Sequence, residues 1–155
     1  MQTAWGAWDA SFVWSAALIA LTIAIHVIGV VSIARAIGRF WAGDLKRRLT
    51  FFDSTVGVTG VIVAVALSLA ALHGIESVIW AAVYVWIGAL PTPGDALLYS
   101  VDSMTTRGSS GLHMVRQWRI MGAIEAGNGM LLYGISTAFL FAVMRRLWER
   151  DARGA

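Results

Sequence analysis

The sequence predicts an all-α integral membrane fold: three transmembrane helices, with a short helix and loop re-entering between the second and third. Three observations predict it. Apolar residues are 58% of the 155-residue chain and charged residues 14%, against roughly 45–50% and about 25% in soluble domains. Three apolar segments each exceed the ~20 residues that a bilayer crossing needs. The basic residues are grouped beside those segments rather than spread along the chain. The same composition excludes a disordered chain. The absence of cysteine excludes a disulfide scaffold, cysteine-ligated zinc or iron–sulfur centres, and thiol catalysis.

Segment one runs from Phe12 to Ala34 without a charge. It lacks a basic leading region and is too long for the apolar stretch of a signal peptide, so a retained span is expected. Segment two is uncharged from Ser54 to Ile75 and resumes after Glu76 as far as Leu90. That is too long for one straight crossing, so it must tilt, extend beyond the headgroups, or break near His73-Gly74. Pro91-Thr92-Pro93-Gly94 ends it. Asp95 then stands where an N-cap belongs, ahead of a helix over 95–105 that is too short to span. Thr105-Thr106-Arg107-Gly108-Ser109-Ser110-Gly111 follows, a run of mostly small residues with permissive backbone. Segment three extends from Ile120 to Met144, interrupted only by Glu125.

Orientation follows from the cations. Arg35, Arg39, Lys46, Arg47 and Arg48 lie between segments one and two, and Arg145, Arg146, Arg150 and Arg153 follow segment three. By the positive-inside rule these nine of the twelve basic residues are cytoplasmic and the N-terminus is outside. They account for most of the high isoelectric point through topology and anionic headgroups, so no nucleic-acid partner is expected. Trp5, Trp8 and Trp14 would anchor the outer interface, Trp41 and Trp148 the inner one. The expected location is the cell inner (plasma) membrane, as a multi-pass protein in contact with the lipid bilayer.

The order span, short helix, Gly/Ser loop, span resembles the pore module of the potassium-channel superfamily. Asp95 to Trp118 carries the resemblance, most strongly Ser103-Met104-Thr105-Thr106 followed by Gly108. Gly127-Asn128-Gly129-Met130 and Gly134 resemble the small-residue middle of an inner helix. The resemblance implies an outer helix over 54–90, a pore helix over 95–105, a selectivity filter over 105–111 and an inner helix over 118–147. Residues 51–155 would form the module, and residues 1–50 an added N-terminal helix with a basic cytoplasmic loop. It further implies a homotetramer around one axis, no cofactor beyond a monovalent cation in the pore, and no enzymatic activity. The family's filter resembles Thr-Val-Gly-Tyr-Gly-Asp. Here Thr106, Arg107, Gly108, Ser109, Ser110 and Gly111 stand in those places. The bracing aromatic and the second glycine are gone, so weak selectivity among permeant ions is expected.

Arg107 is the unusual residue. At about 5 Å and an effective dielectric near 20, each pore-facing guanidinium would repel a cation by roughly 3 kcal/mol. The family geometry instead implies that it points behind the filter, where Asp102 is placed to pair with it and Glu76, Glu125 and Asn128 are further candidates for filter support. Leu131, Gly134 and Ala138 fall on one stripe and would line the cavity.

His73 and Glu76 share a helix face, and with Glu125 they form a candidate proton or divalent-metal cluster, or a buried hydrogen-bonded one. His26 is expected nearer the inner half, offset in depth from His73. The leading expectation is a cation-conducting pore-loop channel. The alternatives are a non-conducting pore-loop scaffold or interaction protein, and a proton or divalent-metal carrier using the membrane His and Glu residues.

Overall fold

A computed structural model of the chain describes residues 4–42, 55–108 and 111–154, with side chains over 10–39, 55–108 and 111–149. Ser54, Lys46, Arg47, Arg48, Ser109 and Ser110, and the side chains of Trp5, Trp8, Trp41, Arg150 and Arg153, lie outside those residues. Among the described residues every regular element is helical: α1 (Ala4–Ala42), α2 (Thr55–Trp86), α3 (Pro93–Met104), a 3-10 turn (Arg116–Trp118) and α4 (Arg119–Gly154). Three stretches are long and apolar enough to cross a membrane: Ala10–Arg39, Thr55–Trp86 and Arg116–Glu149. The chain is compatible with a multi-pass membrane protein.

Burial departs from that of a soluble bundle, with polar and apolar side chains sharing the interior and large aliphatics exposed outside. On α1 the buried positions are Ser11, Ser15, Leu18, Thr22 and His26, while Phe12, Val13, Leu21 and Ile28 are exposed. On α2 the buried face includes His73, Glu76 and Ser77, and Val63, Leu67, Ile75 and Val78 are exposed. Apolar side chains gain nothing by leaving lipid, whereas polar ones gain by finding each other. The helix exteriors therefore carry many of the branched aliphatics, and the interior holds hydroxyls, imidazoles and carboxyls beside its apolar contacts.

The chain divides into two compact units, residues 1–26 with 73–133, and residues 27–72 with 134–155. The second unit is apolar. Val65 and Leu69 of α2 pack with Val143 and Leu147 of α4, and Gly29 of α1 lies under the Leu72 side chain.

The first unit holds α3 and nearly all of the buried polar groups. Its apolar core is Trp80, Tyr84, Leu18, Ala96, Met114 and Met121. Segment two does not break at His73-Gly74. It is one helix to Trp86, short of the expected Leu90, because Gly88 (φ +67°) stops it. Gly88 N–H donates to Val85 O and Ala89 N–H to Tyr84 O, the paired bonds of a Schellman cap on a left-handed glycine.

Helix α3 begins two residues before the expected Asp95. Thr92 is the cap, Pro93 takes the first turn where its missing N–H costs nothing, and Asp95 N–H donates to Thr92 Oγ1 at 3.1 Å. The Thr92 hydroxyl donates in turn to Asp95 Oδ2 at 2.8 Å, so Thr-Pro-Gly-Asp works as a variant capping box. The other end repeats the Schellman pattern: Thr106 N–H donates to Ser103 O and Arg107 N–H to Asp102 O, both at 2.9 Å. Here the left-handed residue is Thr106 (φ +58°), a position usually given to glycine.

Two glycines seven residues apart on α4 receive α3. A Cβ on Gly122 would strike the Tyr99 ring, and a Cβ on Gly129 would strike the Met104 backbone. Gly127 and Gly134 face open space. Gly129→Ala should therefore cost about 1–3 kcal/mol by overpacking. Gly127→Ala should be neutral or gain up to about 1 kcal/mol of helix propensity. Thermal unfolding in detergent distinguishes the two. By the same measurement Thr106→Gly should gain about 1 kcal/mol by relieving the left-handed threonine.

Candidate functional site

The loop that leaves α3 is shaped by the end of that helix. Thr105, Thr106, Arg107, Gly108 and Gly111 are exposed in the single chain. Gly108 (φ +82°) and Gly111 (φ +79°) continue the left-handed turns begun at Thr106. The Thr105 hydroxyl folds back onto Val101 O at 2.7 Å. The backbone carbonyl of Asp102 accepts from both Arg107 N–H and Gly108 N–H. Its side chain, 1% exposed, accepts from Arg107 Nη1 at 2.8 Å. Asp102 and Arg107 are thus paired, with the guanidinium itself 65% exposed. Thr105, Thr106, Met104, Met130 and Tyr133 line an open cleft of about 450 Å³ at this end of α3.

Glu125 stands behind α3. Its Oε2 accepts from the Tyr84 hydroxyl of α2 at 2.6 Å and its Oε1 from the Ser100 hydroxyl of α3 at 2.5 Å. One buried carboxyl therefore ties α2, α3 and α4 together. It does not join His73 and Glu76, because the α4 face carrying Gly122, Glu125 and Gly129 is turned to α3. Asn128 does not reach α3 either. Its Nδ2 donates to Thr22 Oγ1 of α1 at 2.9 Å, and Thr22 donates on to Leu18 O.

His73 and Glu76 meet His26 instead. His26 Nδ1 lies 2.8 Å from Glu76 Oε1, and His73 Nδ1 lies 3.2 Å from Glu76 Oε2. The two imidazoles are 5.1 Å apart between centroids, and the ring of Tyr133 stacks on His73 at 4.0 Å. The ligand-type atoms of His26, His73 and Glu76 all fall within 4.8 Å of one another. The expected depth offset between the two histidines does not exist. The apolar run ends at Ala34, but α1 continues eight residues further, to Ala42.

A sequence pattern marks this side of α1. Ser11, Ser15, Leu18, Thr22 and His26 recur at intervals of four, three, four and four, a single helix face, and all are buried. Ser11 adds a bond of 2.7 Å to Gln117 O at the far end of that face. The α1 helix is thus packed into this unit along a polar stripe. Leu131, Gly134 and Ala138, the expected cavity stripe, are exposed in the single chain, as is His113 in the loop.

Arg107→Leu should cost about 1–2 kcal/mol, since Asp102 loses a charged donor that is itself partly solvated. Changing Asp102 and Arg107 together to Leu should cost less than the sum of the two single changes, with a coupling of about 1 kcal/mol in unfolding measurements. Strict additivity would remove the pair as a brace of the loop. The chain matches no protein-family model, no curated protein and no solved structure.

Proposed function

We propose that this chain is the subunit of a tetrameric pore-loop channel that conducts cations with weak selectivity, α3 serving as pore helix and residues 105–111 as the constriction. The reading is supported by one observation above others. The C-terminal end of α3 rests on Gly129, ten residues into α4, and Ser77, nine residues before the end of α2, lies within 3.1 Å of Met104 Sδ. At 1.5 Å per residue these contacts lie about 14–15 Å along two apolar helices, a length equal to roughly half of a 30 Å hydrocarbon core. Exposed polar backbone at such a depth is tolerated only against water or another protein chain. Thr105 to Gly108 are exposed there, and four copies around a shared axis would give them both.

Pairing with Asp102 supports conduction of cations rather than anions. A guanidinium held 2.8 Å from a carboxylate presents a dipole instead of a net charge, so the ring of repulsion that free arginines would impose is largely cancelled. Weak selectivity follows from the loop's chemistry. Selective filters replace an ion's hydration shell with repeated carbonyls, and this loop turns three times through left-handed residues without the bracing aromatic.

The full-length chain reconstituted in liposomes should dissipate potassium and sodium gradients alike, leaving chloride and proton gradients standing. Gly108→Ala, which forbids the +82° backbone, should lower that flux by at least about tenfold. No flux under any gradient would reject the channel and leave a non-conducting scaffold. Flux of protons alone, lost in Glu76→Gln and indifferent to Gly108→Ala, would favour a carrier.

A further inference from the structure

The pore reading leaves one cluster of ligand-type side chains unused: His26 of α1 with His73 and Glu76 of α2. All three are buried within spanning helices. An ionisable residue there is costly and is kept where it pairs or binds. Two imidazoles and one carboxylate meeting at one point is a more specific arrangement than a carboxylate finding a donor. Both rings present Nδ1 to the same carboxylate, one to each oxygen.

The spacing is close to that around an ion, with each imidazole–carboxylate separation somewhat shorter than a bound metal would hold it. A tetrahedral metal bound at 2.0–2.2 Å to nitrogen and oxygen holds its ligand atoms about 3.3–3.5 Å apart. The two imidazole–carboxylate separations are 2.8 and 3.2 Å, and all three ligand atoms lie within 4.8 Å. A second observation is independent of the spacing. Glu76 Oε2 is fully buried and, although His73 Nδ1 lies 3.2 Å away, accepts no aligned hydrogen bond, where such an atom should have a partner. A cation among the three groups would satisfy it.

The donor set selects the class of ion. Magnesium and calcium require cages of oxygen, whereas two imidazoles and a carboxylate suit zinc and its neighbours. Three protein ligands leave a fourth position open. Tyr133 stacks on His73 from one side and lines the cleft at the end of α3. It both orients the ring, as an outer-shell group does, and stands between the site and that cleft. We infer that His26, His73 and Glu76 form a binding site for a divalent transition-metal ion of the zinc class. The inference does not depend on whether the chain conducts.

The full-length chain, purified in detergent and stripped with a chelator, is titrated with cobalt(II) and then zinc. One cobalt per chain should bind with the intense visible absorption of a tetrahedral centre, zinc should displace it, and the thermal midpoint should rise with zinc. His26→Gln and Glu76→Gln should each weaken binding at least about tenfold. His113→Ala, in the exposed loop, should bind as the unaltered chain does. Because the buried variants can fail to fold, the unaltered chain decides. If it gives only the faint spectrum of octahedral cobalt and zinc leaves its midpoint unmoved, the site is refuted. Binding that persists in folded His26→Gln and Glu76→Gln, or vanishes in His113→Ala, refutes it equally.

Discussion

The carboxyl of Glu125 has no water to turn to, and the helices around it are arranged by that fact. It is fully buried, so both oxygens must be satisfied by protein. Tyr84 supplies one hydroxyl from α2 and Ser100 the other from α3. These two bonds draw a twelve-residue helix, too short to cross anything alone, against two long ones. Such close approach needs the missing side chains at Gly122 and Gly129. Seated there, α3 delivers its C-terminal turn, and with it Thr105 to Gly108, to one place in the unit.

The two membrane carboxylates divide their roles by helix face. Glu125 is consumed by hydroxyls, which leaves it a structural tie. Glu76, on α2, is left to imidazoles, which are both hydrogen-bonding and metal-binding groups. The α1 helix is what completes its surroundings, through His26. Its polar stripe holds Asn128 through Thr22 at one level and Gln117 through Ser11 at another.

Strain is concentrated at the end of α3. The C-terminal ends of α2 and α3 use the same cap, yet α2 has glycine at the left-handed position and α3 has Thr106. A β-branched residue there costs about 1–2 kcal/mol. The Asp102 backbone and side chain, taking three bonds from Arg107 and Gly108, help hold the turn in place. A local rule broken where the rest of the helix obeys it is the mark of a functional or strained site.

Much was legible in the residues alone. Composition and the length of three apolar runs determined the helical membrane class, because bilayer thickness translates directly into residue count. Proline, glycine and the cations punctuated the segments, and the resemblance to a pore module is what implied Asp102 as the partner of Arg107. What the sequence could not decide was which polar groups meet. Glu125 chose Tyr84 and Ser100 over His73, Asn128 chose Thr22 over α3, and His26 came beside Glu76 although the run of apolar residues placed it at another depth. Periodicity assigns a residue to a face, but a partner depends on how two helices are rotated and slid along each other. In a bilayer that is settled by the packing of small residues and the pairing of buried polar ones, which only the tertiary structure contains.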